Sequence, residues 1–201
     1  MEEVAKVARR KRKQRYSMRT ILLVIAVTFA IVVFIRQVLP ERTEPVVELS
    51  VSEQFVKEIG PKAQVIAREN DLYASVMIAQ AILESDSGQS SLSQSPHFNF
   101  FGIKGSYQGQ SVSLETWEDD GQGNPYTITA AFRSYGSLEN GLEDYANFLD
   151  RDFYWAVHRS NTLSYQDATA ALTGTYATDT SYGTKLNNLI KLYQLTQYDS
   201  F

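Results

Sequence analysis

Residues 74–85 read ASVMIAQAILES, eleven uncharged residues interrupted only by Glu84, and residues 86–92 follow as DSGQSSL. At 100° per residue, Val76, Ile78, Ala79, Ile82 and Leu83 fill one broad arc of a helix. Met77, Gln80 and Ala81 occupy the other side, with Glu84 projecting among them. A helix without a charged face is buried nearly all round, so this segment is the expected centre of the fold. Glu84 then points into protein or a cleft. Desolvation, the negative end of the helix dipole and the nearby Asp86 would each raise its pKa. A carboxylic acid kept protonated near neutral pH suits general acid catalysis. A structural glutamate paired with a lysine or arginine fits the same pattern.

The segments around this helix are mostly helical. Residues 50–59 (SVSEQFVKEI) stop before Gly60-Pro61, and residues 61–70 are expected to restart as a second helix with proline in its first turn. Ser137 is placed to cap 138–149, where Leu138, Leu142, Tyr145 and Leu149 share a face. Ser164 and Asp167 have capping-box spacing, with Gly174 ending that helix. Ser181 is placed to cap 182–195, where Leu186, Leu189, Ile190 and Tyr193 lie on one side. Between helices, QSVSLETW (110–117) and YTITAAFRSY (126–135) alternate and flank the turn-rich EDDGQGNP. The expected architecture is mainly α with a small β-hairpin lobe.

The hairpin offers a second acid among Glu115, Glu118, Asp119 and Asp120. Glu118 shares parity with Val112, Leu114 and Thr116, the apolar side of the strand, whereas Glu115 and Asp119 have the opposite parity. Two carboxylates across a groove suit glycoside hydrolysis. HFNFFGIKGSY (97–107) and YATDTSYGTKL (176–186) add aromatic and polar residues suited either to stacking on sugar rings or to a core.

Charge divides the chain. Residues 1–19 carry eight Lys and Arg against Glu2 and Glu3, while residues 37–201 carry ten against 21 Asp and Glu, a net −11. That acidic bulk argues against nucleic acid as a partner. Ile21 to Ile35 is fifteen residues without a charge, about 22 Å of helix, and Thr20 to Leu39 extends it toward the roughly 30 Å hydrocarbon core. With basic residues on its N-terminal flank and no small-residue cleavage site after it, the segment is expected to be an uncleaved signal anchor. The expected organisation is therefore a cytoplasmic tail (1–19), a single transmembrane anchor (20–39), a stalk (40–50) and an extracellular domain (51–201) facing the cell wall. The chain has no cysteine, and its two histidines, His97 and His158, lie in no motif with metal-ligand spacing, so neither metal nor cofactor is expected.

Four ordered blocks, AQAILESDSGQSSL, NFFGIKG, AAFRSYGSLENGLEDYANFL and YATDTSYGTKLNNLIKLYQL, resemble glycoside hydrolase family 73, the bacterial peptidoglycan N-acetylglucosaminidases. The resemblance covers about residues 51–201. It implies a lysozyme-like α lobe with a hairpin lobe over a glycan groove. It also implies hydrolysis of the β-1,4 bond between N-acetylglucosamine and N-acetylmuramic acid, serving wall remodelling or daughter-cell separation. By resemblance Glu84 is the general acid, Glu118 the second acid, and Asn99, Phe101, Tyr176 and Tyr182 line the groove. The family commonly reads Glu-Ser-Gly-Trp-Gly where this chain has Asp86 and Ser87 in place of Gly-Trp. A lytic transglycosylase and a non-catalytic wall-binding module are the alternatives.

Overall fold

The structure, a computed structural model, describes residues 48–119 and 125–200. The expected tail and anchor, and the stalk up to Val47, lie outside the described residues. Among the described residues no helix is long and apolar enough to cross a membrane.

Helix α1 (Val51–Glu69) begins at a capping box. The Ser50 hydroxyl accepts from the Glu53 N–H at 3.3 Å, and the Glu53 carboxylate accepts from the Ser50 N–H at 2.8 Å. The break expected at Gly60-Pro61 does not occur, and α1 runs through it as one helix. An interior proline costs about 3 kcal/mol or more. Phe55, Val56 and Ile59 before it, and Ala63, Ile66 and Ala67 after it, are buried in one core. At roughly 1.5–3 kcal/mol for each large apolar side chain, that shared face outweighs the proline. Gly60 is needed for a different reason: a Cβ there would lie 2.5 Å from the ring of Tyr198.

Helix α2 (Ala74–Ser85) is the central helix, and all of its residues except Leu83 and Glu84 are buried. Tyr73 supplies no side-chain cap. The cap comes instead from the far end of the chain, where Asp199 accepts the Ser75 N–H at 2.9 Å. A carboxylate at a helix N-terminus also opposes the positive end of the dipole.

Strands β1 (Ser111–Asp119) and β2 (Pro125–Arg133) form one antiparallel hairpin, in register from Ser111 opposite Arg133 to Asp119 opposite Pro125. Val112, Leu114 and Thr116 are half-buried, while Ser111, Ser113 and Glu115 are exposed, as the alternation predicts. The base of the hairpin is tied to helix α3 (Leu138–Leu149) through Asp144. That carboxylate pairs with Arg133 at 2.6 Å and accepts the Tyr135 hydroxyl at 2.7 Å.

Ser137 caps α3, accepting the Asn140 N–H at 3.2 Å, and Leu138, Leu142, Tyr145 and Leu149 are all buried. Helix α4 (Tyr165–Leu172) has the expected Ser164–Asp167 capping box. Helix α5 (Tyr182–Leu192) does not use Ser181 as a side-chain cap. Ser181 sits at φ −93°, ψ 1°, not in the extended conformation from which a hydroxyl reaches back to the helix. Instead Asp179 accepts both the Ser181 N–H (2.8 Å) and its hydroxyl (2.7 Å). Lys185, 2.6 Å away, and then these bonds pull the Asp179 pKa down to about 2. Short 3₁₀ turns, Asp152–Val157, Arg159–Asn161 and Leu195–Asp199, fill the remaining corners. The described residues are mainly helical with a small two-stranded sheet.

Candidate active site

Glu84 occupies the last turn of α2 and is accessible from a groove of about 480 Å³. The groove passes between the helices and the hairpin, with Phe101, Thr116, Phe132, Phe148 and Tyr176 on its walls. A side chain in such a cleft touches water yet is flanked by protein, so its charge is poorly solvated. Desolvation raises the Glu84 pKa, and a hydrogen bond from Tyr182 opposes the rise. The nearby Asp86 is not among the causes of the shift.

Behind Glu84 lies a chain of buried polar groups. The Tyr182 hydroxyl donates to Glu84 Oε1 at 2.7 Å and accepts from Gln80 Nε2 at 2.9 Å. Gln80 Oε1 in turn accepts the hydroxyl of Tyr145. Gln80 lies one turn before Glu84 on α2, which is why both reach the same tyrosine. It is fully buried, so its amide requires such partners.

The turn after α2 explains residues 86–88. Asp86 is left-handed (φ 52°, ψ 53°) and exposed, and its N–H bonds to Ile82 O. Ser87 (φ 56°) and Gly88 (φ 77°) continue in the same region. A Cβ on Gly88 would lie 2.7 Å from the Phe55 ring, so conformation and space both require glycine there. Asp86 therefore occupies a glycine-type helix end. Ser87, where the resembling family has tryptophan, shares a 2.7 Å hydrogen bond with Ser52.

The other expected groove residues divide. Phe101 lines the groove, and its ring stacks on Tyr145 at 3.9 Å between centroids. Tyr176 also lines it, with its hydroxyl donating to Phe101 O at 2.8 Å and its ring stacked on Tyr182 at 6.0 Å. Tyr182 does not line the groove and stands behind Glu84, to which its hydroxyl donates. Asn99 does not face the groove either. It is buried, donating to the carbonyls of Ile103 (2.9 Å) and Arg133 (3.0 Å) and accepting the Ile103 N–H (3.1 Å). Its amide is used up holding loop 99–103 against the hairpin. Glu118 lies in β1 opposite Tyr126, two residues beyond Thr116 and of the same parity. Gln80 and Tyr145 were not expected at the site. A lone amide in a nearly all-apolar helix was the available signal for Gln80, whereas Tyr145 reads as one more core residue. Among the described residues no group of three or more His, Cys, Asp or Glu is placed to hold a metal ion.

A glutamate whose pKa is raised by desolvation, set at a helix end in an aromatic groove under a hairpin, is the arrangement of a lysozyme-like glycosidase. The chain belongs to the Glucosaminidase family (mannosyl-glycoprotein endo-beta-N-acetylglucosaminidase), whose sequence profile matches residues 60–195. The catalytic domain of the autolysin Auto from Listeria monocytogenes is similar in fold. That structure has a TM-score of 0.71 and 39% identity, covering 93% of this chain and 100% of that one. Exo-glucosaminidase LytG of Bacillus subtilis is 31% identical over 200 residues, 96% of this chain and 70% of LytG. An N-acetylmuramoyl-L-alanine amidase domain-containing protein of Staphylococcus aureus is 50% identical over 160 residues, 77% of this chain. The chain spans only 26% of that protein's length.

Proposed function

We propose that this chain hydrolyses the β-1,4 bond between N-acetylglucosamine and N-acetylmuramic acid in peptidoglycan. The observation that carries the reading is Glu84, accessible in the groove with its pKa raised by desolvation. Glu84 is the general acid: it protonates the glycosidic oxygen as the bond to the anomeric carbon breaks, and is left as a carboxylate. The Tyr182 hydrogen bond then stabilises the new charge. Glu118 is the second acid, activating water or stabilising the oxocarbenium-like transition state, and its parity with the groove-lining Thr116 supports that role. The substrate's acetamido group is the other source of a nucleophile. Tyr176, half-buried on the groove wall, is better placed for sugar contact than Phe101, which is buried with its ring stacked on Tyr145, and no step of this reading draws on a metal or a cofactor.

Residues 20–39 are proposed to anchor the chain in the cell membrane as a single span, with the basic tail cytoplasmic and the domain facing the wall. The apolar run and the charge asymmetry across it support this orientation. The enzyme would then trim glycan strands near the membrane during remodelling or daughter-cell separation.

Mass spectrometry of digested peptidoglycan tests the activity. New reducing ends of N-acetylglucosamine support the reading. Reducing muramic ends would make the chain a muramidase, 1,6-anhydro-muramic ends a lytic transglycosylase, and no release a binding module.

A further inference from the structure

Four groups from three helices form one directed chain: Tyr145 on α3, Gln80 and Glu84 on α2, and Tyr182 on α5. Three of them have hydroxyl or carboxyl groups that turn to suit their neighbours. The primary amide is different, because its donor and acceptor ends are chemically fixed. Once Tyr145 donates to Gln80 Oε1, the amide presents N–H to Tyr182 at 2.9 Å. The Tyr182 oxygen is then occupied as an acceptor, and its own hydrogen must point to Glu84 Oε1, 2.7 Å away.

We propose that Gln80 is a positioning residue which, through Tyr182, dedicates Glu84 Oε1 to accepting a hydrogen bond and leaves Oε2 to carry the transferable proton. This rests on Glu84 being the general acid. Without the amide, the buried Tyr182 oxygen lacks a donor, and protonated Glu84 supplies one by turning its own O–H inward. The proton is then stabilised on the wrong oxygen, held more tightly but aimed away from the groove.

The charged and titratable groups facing Glu84 are Tyr145 from α3, Tyr176 from the segment before α5, Tyr182 from α5, and Lys104 and Tyr154 on the groove wall. Desolvation pushes all four phenols above their usual range, so they stay protonated throughout the working pH. The basic limb of the activity profile then reports Glu84.

The test compares the full chain with its Gln80→Met, Gln80→Glu, Tyr145→Phe and Glu84→Gln variants on soluble glycan strands. Methionine keeps the volume of glutamine and removes the amide. Gln80→Met is expected to lower kcat about tenfold or more, leave KM within about twofold, and move the basic limb up by about half a pH unit. Gln80→Glu, when protonated, restores an O–H donor, so it regains activity on the acid side and loses it as pH rises. If Gln80→Met does not fold by circular dichroism, Tyr145→Phe decides, with an upward shift of the same limb expected. Wild-type kcat and profile in the folded variants would reduce Gln80 to packing and overturn the inference. If Glu84→Gln has lost activity in that case, the acid assignment survives. Undiminished release by Glu84→Gln would instead overturn the acid assignment and this inference with it.

Discussion

The Tyr182 hydroxyl donates to Glu84 Oε1 across 2.7 Å, joining residues 98 positions apart in the chain. The bond stabilises the carboxylate, while desolvation by the flanking protein favours the neutral acid, and desolvation is the larger effect. The acid is thus raised but restrained. Removing the restraint gives the first prediction. Tyr182→Phe should raise the Glu84 pKa further and move the basic limb of kcat/KM to higher pH. It also leaves the buried Gln80 N–H without a partner, at about 1–3 kcal/mol. A pH profile together with a thermal melt measures both effects.

Glu84 should also carry a stability penalty. Its folded-state pKa lies above its unfolded value, so its contribution is most favourable below the unfolded pKa and is lost as pH rises through the folded one. Glu84→Gln, which cannot ionise, should therefore melt higher than wild type at neutral pH and above. The gap should close as pH falls below about 4.3. Paired melts across that range check it, and a variant uniformly less stable than wild type would contradict it.

The turn at 86–88 makes a pair of opposite predictions. Asp86→Gly should stabilise by up to about 1 kcal/mol, because it relieves a left-handed residue at φ 52°, and should leave the pH profile unmoved. Gly88→Ala should destabilise by about 2–4 kcal/mol, combining backbone strain with the 2.7 Å approach to Phe55. Denaturant unfolding distinguishes them.

Asp144→Ala should cost about 3 kcal/mol, since it strands the half-buried Arg133 guanidinium and the buried Tyr135 hydroxyl together. The hairpin base should loosen first, and amide exchange at 130–135 would record it.

What could be read in advance follows the range of the forces involved. Ser137, and Ser164 with Asp167, were legible because a cap is settled within four residues. The half-buried parity of Val112, Leu114 and Thr116 was legible because a strand repeats every two. Pro61 was misleading: its local signal is a stop, and only the core common to Ile59 and Ala63 overrides it. Asp199 capping α2 and Tyr182 reaching Glu84 depend on contacts more than ninety residues apart, which no local pattern encodes. Asn99 sits in an aromatic loop where an amide facing a sugar and one facing the backbone look alike in sequence, and here it serves the backbone.

The most direct test of the central claim digests purified peptidoglycan with wild type and Glu84→Gln and identifies the released ends by mass spectrometry. The account predicts N-acetylglucosamine reducing ends from wild type and a loss of about a hundredfold or more in the variant. Equal release by the two proteins, or 1,6-anhydro-muramic ends from wild type, would contradict it.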